Sequence, residues 1–131
     1  MDKLDLYKCE TCGNVVEVLV NGGGELYCCG KPMVKVEAQS LENSIEEKHV
    51  PIFIDKDEYT TEIRVGELLH PMTKEHHIVF IQAISSDKNY STIKFLAVDE
   101  EPKFLLQGNK KYSYAREFCN IHGLWEGKNN D

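Results

Sequence analysis

The sequence contains no apolar run approaching the ~18 residues that a bilayer span requires. Its opening residues, Met1-Asp2-Lys3-Leu4-Asp5, lack the apolar stretch of a secretory leader, so a cytoplasmic location and no membrane partner are expected. Basic residues are in deficit: 15 Lys and Arg stand against 22 Asp and Glu, for a formal net charge of −7. Phosphate backbones call for a basic face, so a nucleic-acid partner is not expected either. Long helical periodicity, internal repeats and low-complexity tracts are all missing. What remains is a composition of 41% hydrophobic and 28% charged residues, that of an ordinary globular protein.

Cysteine is scarce beyond the first 29 residues, where only Cys119 occurs, while Cys9, Cys12, Cys28 and Cys29 crowd the beginning. An odd total of five argues against a simple disulfide framework, and clustered cysteines in a reducing compartment point to metal or redox chemistry. Cys9-Glu10-Thr11-Cys12 is a Cys-x-x-Cys, and the adjacent pair Cys28-Cys29 follows after fifteen intervening residues. Four thiolates so spaced can close a tetrahedral site across a hairpin. A Cys-x-x-Cys alone is shared by zinc ribbons and redox motifs, but zinc ribbons normally use a second Cys-x-x-Cys. Neighbouring side chains in an extended segment point apart, so the adjacent pair requires a local backbone distortion.

Residues 1–37 form a first unit, with a strand expected from Val15 to Val20, a turn over Asn21-Gly22-Gly23-Gly24, a returning strand from Glu25 to Cys28, and a short strand near Val34 and Val36. So short a unit cannot bury enough apolar surface alone and needs a metal or an oligomer contact. Residues 38–47 are polar and acidic and are expected to be a linker. In residues 48–131, Tyr59, Thr61, Ile63 and Val65 alternate with more polar neighbours, as a half-buried strand should. Ile78 to Ile84 is nearly continuously apolar, as a strand buried on both faces would be. Tyr90 to Val98, Lys103 to Gln107 and Tyr112 to Phe118 bring the expected total to about six or seven strands, separated by turn signals such as Asp99-Glu100-Glu101-Pro102. The pattern predicts an all-β chain whose larger part is a small sandwich.

The remaining candidate ligands lie in Glu47-Lys48-His49-Val50-Pro51, in His70-Pro71-Met72 followed by Glu75-His76, and in Cys119-Asn120-Ile121-His122-Gly123. Pro51 and Pro71 bias the residues before them toward extended geometry, which helps aim His49 and His70 and argues against a helical His-Glu-x-x-His arrangement. Singly, each histidine is more often a surface or hydrogen-bonded core residue than a ligand. Together and in this order they resemble the catalytic domain of superoxide reductases, the desulfoferrodoxin and neelaredoxin family. Cys9-x-x-Cys12 with Cys28-Cys29 resembles the desulforedoxin motif, so nearly the whole chain resembles the two-iron class.

That resemblance implies a desulforedoxin-like hairpin domain followed by an immunoglobulin-like β-sandwich. It implies two non-heme irons, one held by Cys9, Cys12, Cys28 and Cys29, with zinc as the alternative there. The other is held equatorially by His49, His70, His76 and His122 with Cys119 as axial ligand. His77, directly after His76, would point to the opposite face of a strand and is expected to be a bystander. The implied reaction is one-electron reduction of superoxide to hydrogen peroxide, with re-reduction by an external donor such as rubredoxin, in a homodimer. Four thiolates with a divalent metal leave a doubly negative, closed site that repels an anion. Four neutral imidazoles and one thiolate leave a ferrous site with net positive charge and an open position, and thiolate ligation pushes electron density onto the iron. By resemblance Lys48 attracts superoxide and organises a proton-donating water, and Glu47 occupies the sixth position of the oxidised metal; without it both would be a solvated linker end. The competing expectations are a non-catalytic electron-transfer protein, a superoxide dismutase, and a zinc-stabilised binding module with incidental histidines.

Overall fold

The structure is a computed structural model that describes residues 1–40, 49–66, 71–108 and 111–129. It divides into two units, Met1–Glu37 and Ala38–Asp131, and every regular element among the described residues is a β-strand. No helix among the described residues is long and apolar enough to cross a membrane.

The first unit carries β1 (Leu6–Lys8), β2 (Val15–Glu17), β3 (Tyr27–Cys28), β4 (Lys31–Pro32) and β5 (Val34–Lys35). β1 is central, antiparallel to both β2 and β5, while β3 pairs only with β4. The expected hairpin between Val15–Val20 and Glu25–Cys28 therefore does not form. The three residues of β1 are too few to show a period, yet they take both flanking partners. Leu4, Leu6 and Val18 are the unit's buried apolar side chains besides Cys9.

The second unit contains β6 (Pro51–Asp57), β7 (Thr60–Val65), β8 (Ile78–Ile84), β9 (Ser91–Phe95), β10 (Lys103–Gln107), β11 (Tyr114–Cys119) and β12 (Gly123–Lys128). They form two antiparallel sheets, ordered β10-β7-β6 and β12-β11-β8-β9, so the chain crosses between sheets after β7 and after β9 and returns after β10. This is an immunoglobulin-like sandwich. Ile63 and Val65 of β7, Phe104 of β10, Ile81 and Ala83 of β8, and Ala115 of β11 form the buried core. In β7 the less buried Arg64 separates Ile63 from Val65, the period-two pattern of a sheet's inner face, whereas in β8 Phe80, Gln82 and Ile84 are buried as well, so that strand is covered on both faces.

Two strands escape the sequence pattern. β6 begins with Pro51 and ends in Asp55-Lys56-Asp57, and its proline is tolerated because it opens an edge strand. β12 contains two glycines and resembles a turn in composition, yet pairs with β11 over its full length.

Candidate metal centres

In the first unit the chain folds tightly around Cys9: its backbone N–H donates to Asn14 O at 2.9 Å, and its carbonyl accepts from Gly13 N at 2.8 Å. Gly13, at φ 87°, closes this turn in the left-handed region. Cys12 Sγ lies 3.6 Å from Cys28 Sγ, and Cys28 Sγ lies 3.9 Å from Cys29 Sγ. The four sulfurs all fall within 4.8 Å of one another. Cys29 has a φ of 54°, so the distortion that the adjacent pair requires sits at that residue. Cys9 is buried, whereas Cys12 and Cys29 are exposed.

The backbone N–H of Cys12 bonds the Cys9 sulfur at 3.4 Å and is the main cause that pulls the Cys9 thiol down to about 6. The neighbouring Cys12 sulfur is the main cause that pushes Cys28 up to about 12, and it also raises Cys29. Four sulfurs this close cannot all be thiolates without a cation among them, which is the behaviour of a metal site. None of the five cysteines is in a disulfide.

The second cluster lies where three chain segments meet. His49 leads into β6, and its position is fixed from two sides: Pro51 pairs with Val65 of β7, and Gly66 N donates to Val50 O at 2.8 Å. Gly127 of β12 packs so close that a Cβ there would clash with the Pro51 carbonyl oxygen. His76 sits in the loop before β8, its N–H donating to Thr73 Oγ1 and its carbonyl accepting from Thr73 N. Cys119 ends β11 at a register shift, and His122 occupies the tight connection to β12.

The imidazole nitrogens of His49, His76 and His122 come within 4.8 Å of one another. Ring centroids are 4.6 Å apart for His49 and His122, 4.9 Å for His76 and His122, and 6.1 Å for His49 and His76. Cys119 Sγ lies 4.0 Å from His122 Nδ1 and accepts the His122 backbone N–H at 3.5 Å. Burial is the main cause that pushes the Cys119 thiol up, so a bound cation is needed to hold it as thiolate at neutral pH. His49 is buried, His76 half-buried and His122 exposed, so the cluster opens to solvent on the His122 side. His77 turns away: its Nδ1 donates to Thr73 O at 3.0 Å. Glu47, Lys48 and His70 lie outside the described residues.

Three supporting groups were not evident from the sequence. Trp125 stacks on His49, with centroids 4.9 Å apart and planes 15° apart, and its Nε1 donates to His122 O at 3.1 Å. Gln39, which composition places in a linker, is bonded to β12: its N–H donates to Leu124 O, its carbonyl accepts from Glu126 N, and its Nε2 donates to His122 O at 2.9 Å. Glu117 is fully buried with Oε1 3.9 Å from His49 Nδ1, and burial pushes its carboxyl well above the usual range. Neither carboxyl oxygen has a hydrogen-bond partner among the described residues. Its signal in the sequence is parity, because Glu117 shares the inward face of β11 with Ala115 and Cys119. A buried carboxyl beside clustered imidazoles and a thiol fits a site built to hold a cation.

Residues 41–128 match the desulfoferrodoxin family, and residues 1–36 match the desulfoferrodoxin N-terminal domain. The chain belongs to the desulfoferrodoxin family. It is 42% identical over 130 residues to the desulfoferrodoxin of Desulfarculus baarsii, with 98% of each chain covered. The first unit alone is 68% identical over 31 residues to the desulforedoxin of Megalodesulfovibrio gigas, covering 24% of this chain and 84% of that one. Among solved structures, the superoxide reductase of Treponema pallidum superposes with a TM-score of 0.74 at 25% identity, covering 96% of this chain and 98% of that one. Family membership implies two iron sites, and both donor sets fit: thiolates suit tetrahedral iron, and imidazoles with one thiolate suit a redox iron with room for a further ligand.

Proposed function

We propose that the chain is a superoxide reductase whose second iron is held by His49, His70, His76, Cys119 and His122. The observation that carries this is the cluster of three imidazoles, one of which, His122, lies 4.0 Å from the buried Cys119 sulfur and is exposed to solvent. Iron bound there would supply the one electron that, together with two protons, converts superoxide to hydrogen peroxide.

The residues around it do the rest. Trp125 and Gln39 both donate to the His122 carbonyl and hold that ligand's loop in place. Trp125 also walls off one face of His49. Lys48 directly precedes the buried His49, and its proposed role is to draw the anion in and order a proton-donating water. Glu47 is the proposed carboxylate ligand of the oxidised metal. In this proposal residues 1–37 carry the iron of Cys9, Cys12, Cys28 and Cys29, which passes electrons but has no position for substrate, residues 38–47 link, and residues 48–131 carry the reaction. An external reductant must restore the ferrous state, and rubredoxin is the proposed donor. A cytoplasmic location is proposed, because a reducing compartment keeps such cysteines out of disulfides and available to a metal. The proposed assembly is a homodimer, which sedimentation at micromolar concentration would refute by finding one chain.

Lys48→Ile tests the reading at its electrostatic step. The protein's net charge of −7 opposes an incoming anion, so local positive charge must overcome it. The second-order reaction of reduced protein with superoxide should slow by about tenfold. Its salt dependence should weaken, since screening acts over ~10 Å at 0.1 M salt. Lys48→Arg should recover much of the rate, with iron content unchanged throughout. A Lys48→Ile protein as fast as the parent at low salt would leave Lys48 a solvated linker residue.

A further inference from the structure

Asn120 lies between two ligands in the sequence and is exposed, as an ordinary turn residue would be. Its hydrogen bonds run instead to the other loop. Its Oδ1 accepts the backbone N–H of His77 at 2.9 Å, and its Nδ2 donates to the carbonyl of Glu75 at 3.0 Å. Its own backbone N–H donates to His77 O at 3.1 Å. One side chain thus grips the residues immediately before and after His76, while Thr73 engages the N–H and carbonyl of His76 itself.

The place where this occurs is significant. The β11–β8 ladder shifts register between Phe118 and Cys119, so regular pairing falters just before the two ligand loops diverge. Past that irregularity, the Asn120 amide continues the connection. Only a primary amide offers an acceptor and a donor on one rigid plane, as an N–H and a C=O two residues apart demand. Aspartate has the same shape but would set a second acceptor against Glu75 O, and alanine has neither group.

We propose that Asn120 is a positioning residue that sets His76 against Cys119 and His122, and so fixes the geometry of the second iron site. This deepens the ligand assignment above and rests on it. The experiment uses the full-length iron-loaded protein and has two readouts besides activity: the ferric thiolate absorption band, and the rate at which iron is lost to a chelator. Asn120→Ala and Asn120→Asp should each shift the band and release the second iron about tenfold faster, the scale of a lost supporting contact around a metal ligand. The four-thiolate spectrum should stay parental, which shows that the variants fold. Asn89→Ala is the control, because it removes another exposed asparagine side-chain bond, from Nδ2 to Asp87 Oδ2 at 3.2 Å in the β8–β9 turn. It should leave both readouts unchanged.

His76→Ala separates the two layers of the proposal. If it keeps the parental band and iron, the ligand assignment fails and the clamp falls with it. If it disturbs the site while both Asn120 variants behave as the parent, the clamp alone is overturned. Equal changes in Asn89→Ala would also overturn it, by reducing the effect to general loosening.

Discussion

Cys119→Ser should abolish superoxide reduction and remove the long-wavelength thiolate band of the second iron, while the bands of the four-thiolate iron persist. The sulfur is fully buried at the end of β11 and receives the His122 N–H, so it is presented to the histidine cluster with little freedom to move. A serine hydroxyl of nearly the same size fills the space but keeps its proton at neutral pH and is a poor, hard ligand. Electron density that a thiolate pushes onto iron is then lost, and the reduced product is no longer favoured. Burying one hydroxyl in place of a thiol costs on the order of 1–3 kcal/mol, too little to account for a complete loss of activity in a folded protein. Absorption spectra and superoxide kinetics of the purified variant measure both effects. A variant that kept its band and its rate would mean that Cys119 is not the thiolate that would hold the second iron.

Gly127→Ala should be the most damaging small substitution outside the ligands. The added methyl group would clash with Pro51 O and sit 3.2 Å from both Pro51 C and Val50 Cγ1. The carbonyl is backbone, paired through Pro51 to Val65 in the interior of the sandwich, so it cannot swing aside as a side-chain tip would. Either β12 lifts from β6, or the start of β6 moves and carries His49 with it. Overpacking of this kind costs about 1–3 kcal/mol, which corresponds to a fall in Tm of about 10 °C for a unit of this size. The second iron should be lost preferentially, because the displaced segment begins with His49, one of its proposed ligands. Thermal unfolding and metal content check this together. An unshifted Tm with full iron occupancy would mean that the two strands are not held at the distance described.

The parts of the molecule that chemistry demands were the legible ones. Cys9, Cys12, Cys28 and Cys29 stand out because soft ligands have few other uses at such spacing. β8 and β7 stand out because strands buried on one or both faces must be apolar in a strict period. β6 and β12 did not, since an edge strand tolerates proline and charge, and Gly127 is required by a neighbour distant in sequence. β1 was missed because its partners, not its three residues, make it a strand. The second metal cluster was legible only as a combination of motifs, because a lone histidine carries almost no information about its neighbours. Its supporting groups stayed hidden for the same reason. Nothing in Tyr-Ala-Arg-Glu-Phe-Cys marks Glu117 as buried until the inward face of β11 is known, and nothing local ties Asn120 to a loop more than forty residues away.

The measurement that bears most directly on the central claim mixes fully reduced protein with pulse-generated superoxide and follows iron oxidation, hydrogen peroxide and dioxygen together. One superoxide should oxidise one iron of the second site and yield one hydrogen peroxide, with no dioxygen released. A Cys12→Ser variant lacking the four-thiolate iron should do the same, because that closed site has no position for the substrate. Dioxygen released alongside peroxide would make the chain a dismutase, and failure of superoxide to oxidise the second iron would make it an electron carrier; either result would contradict the account.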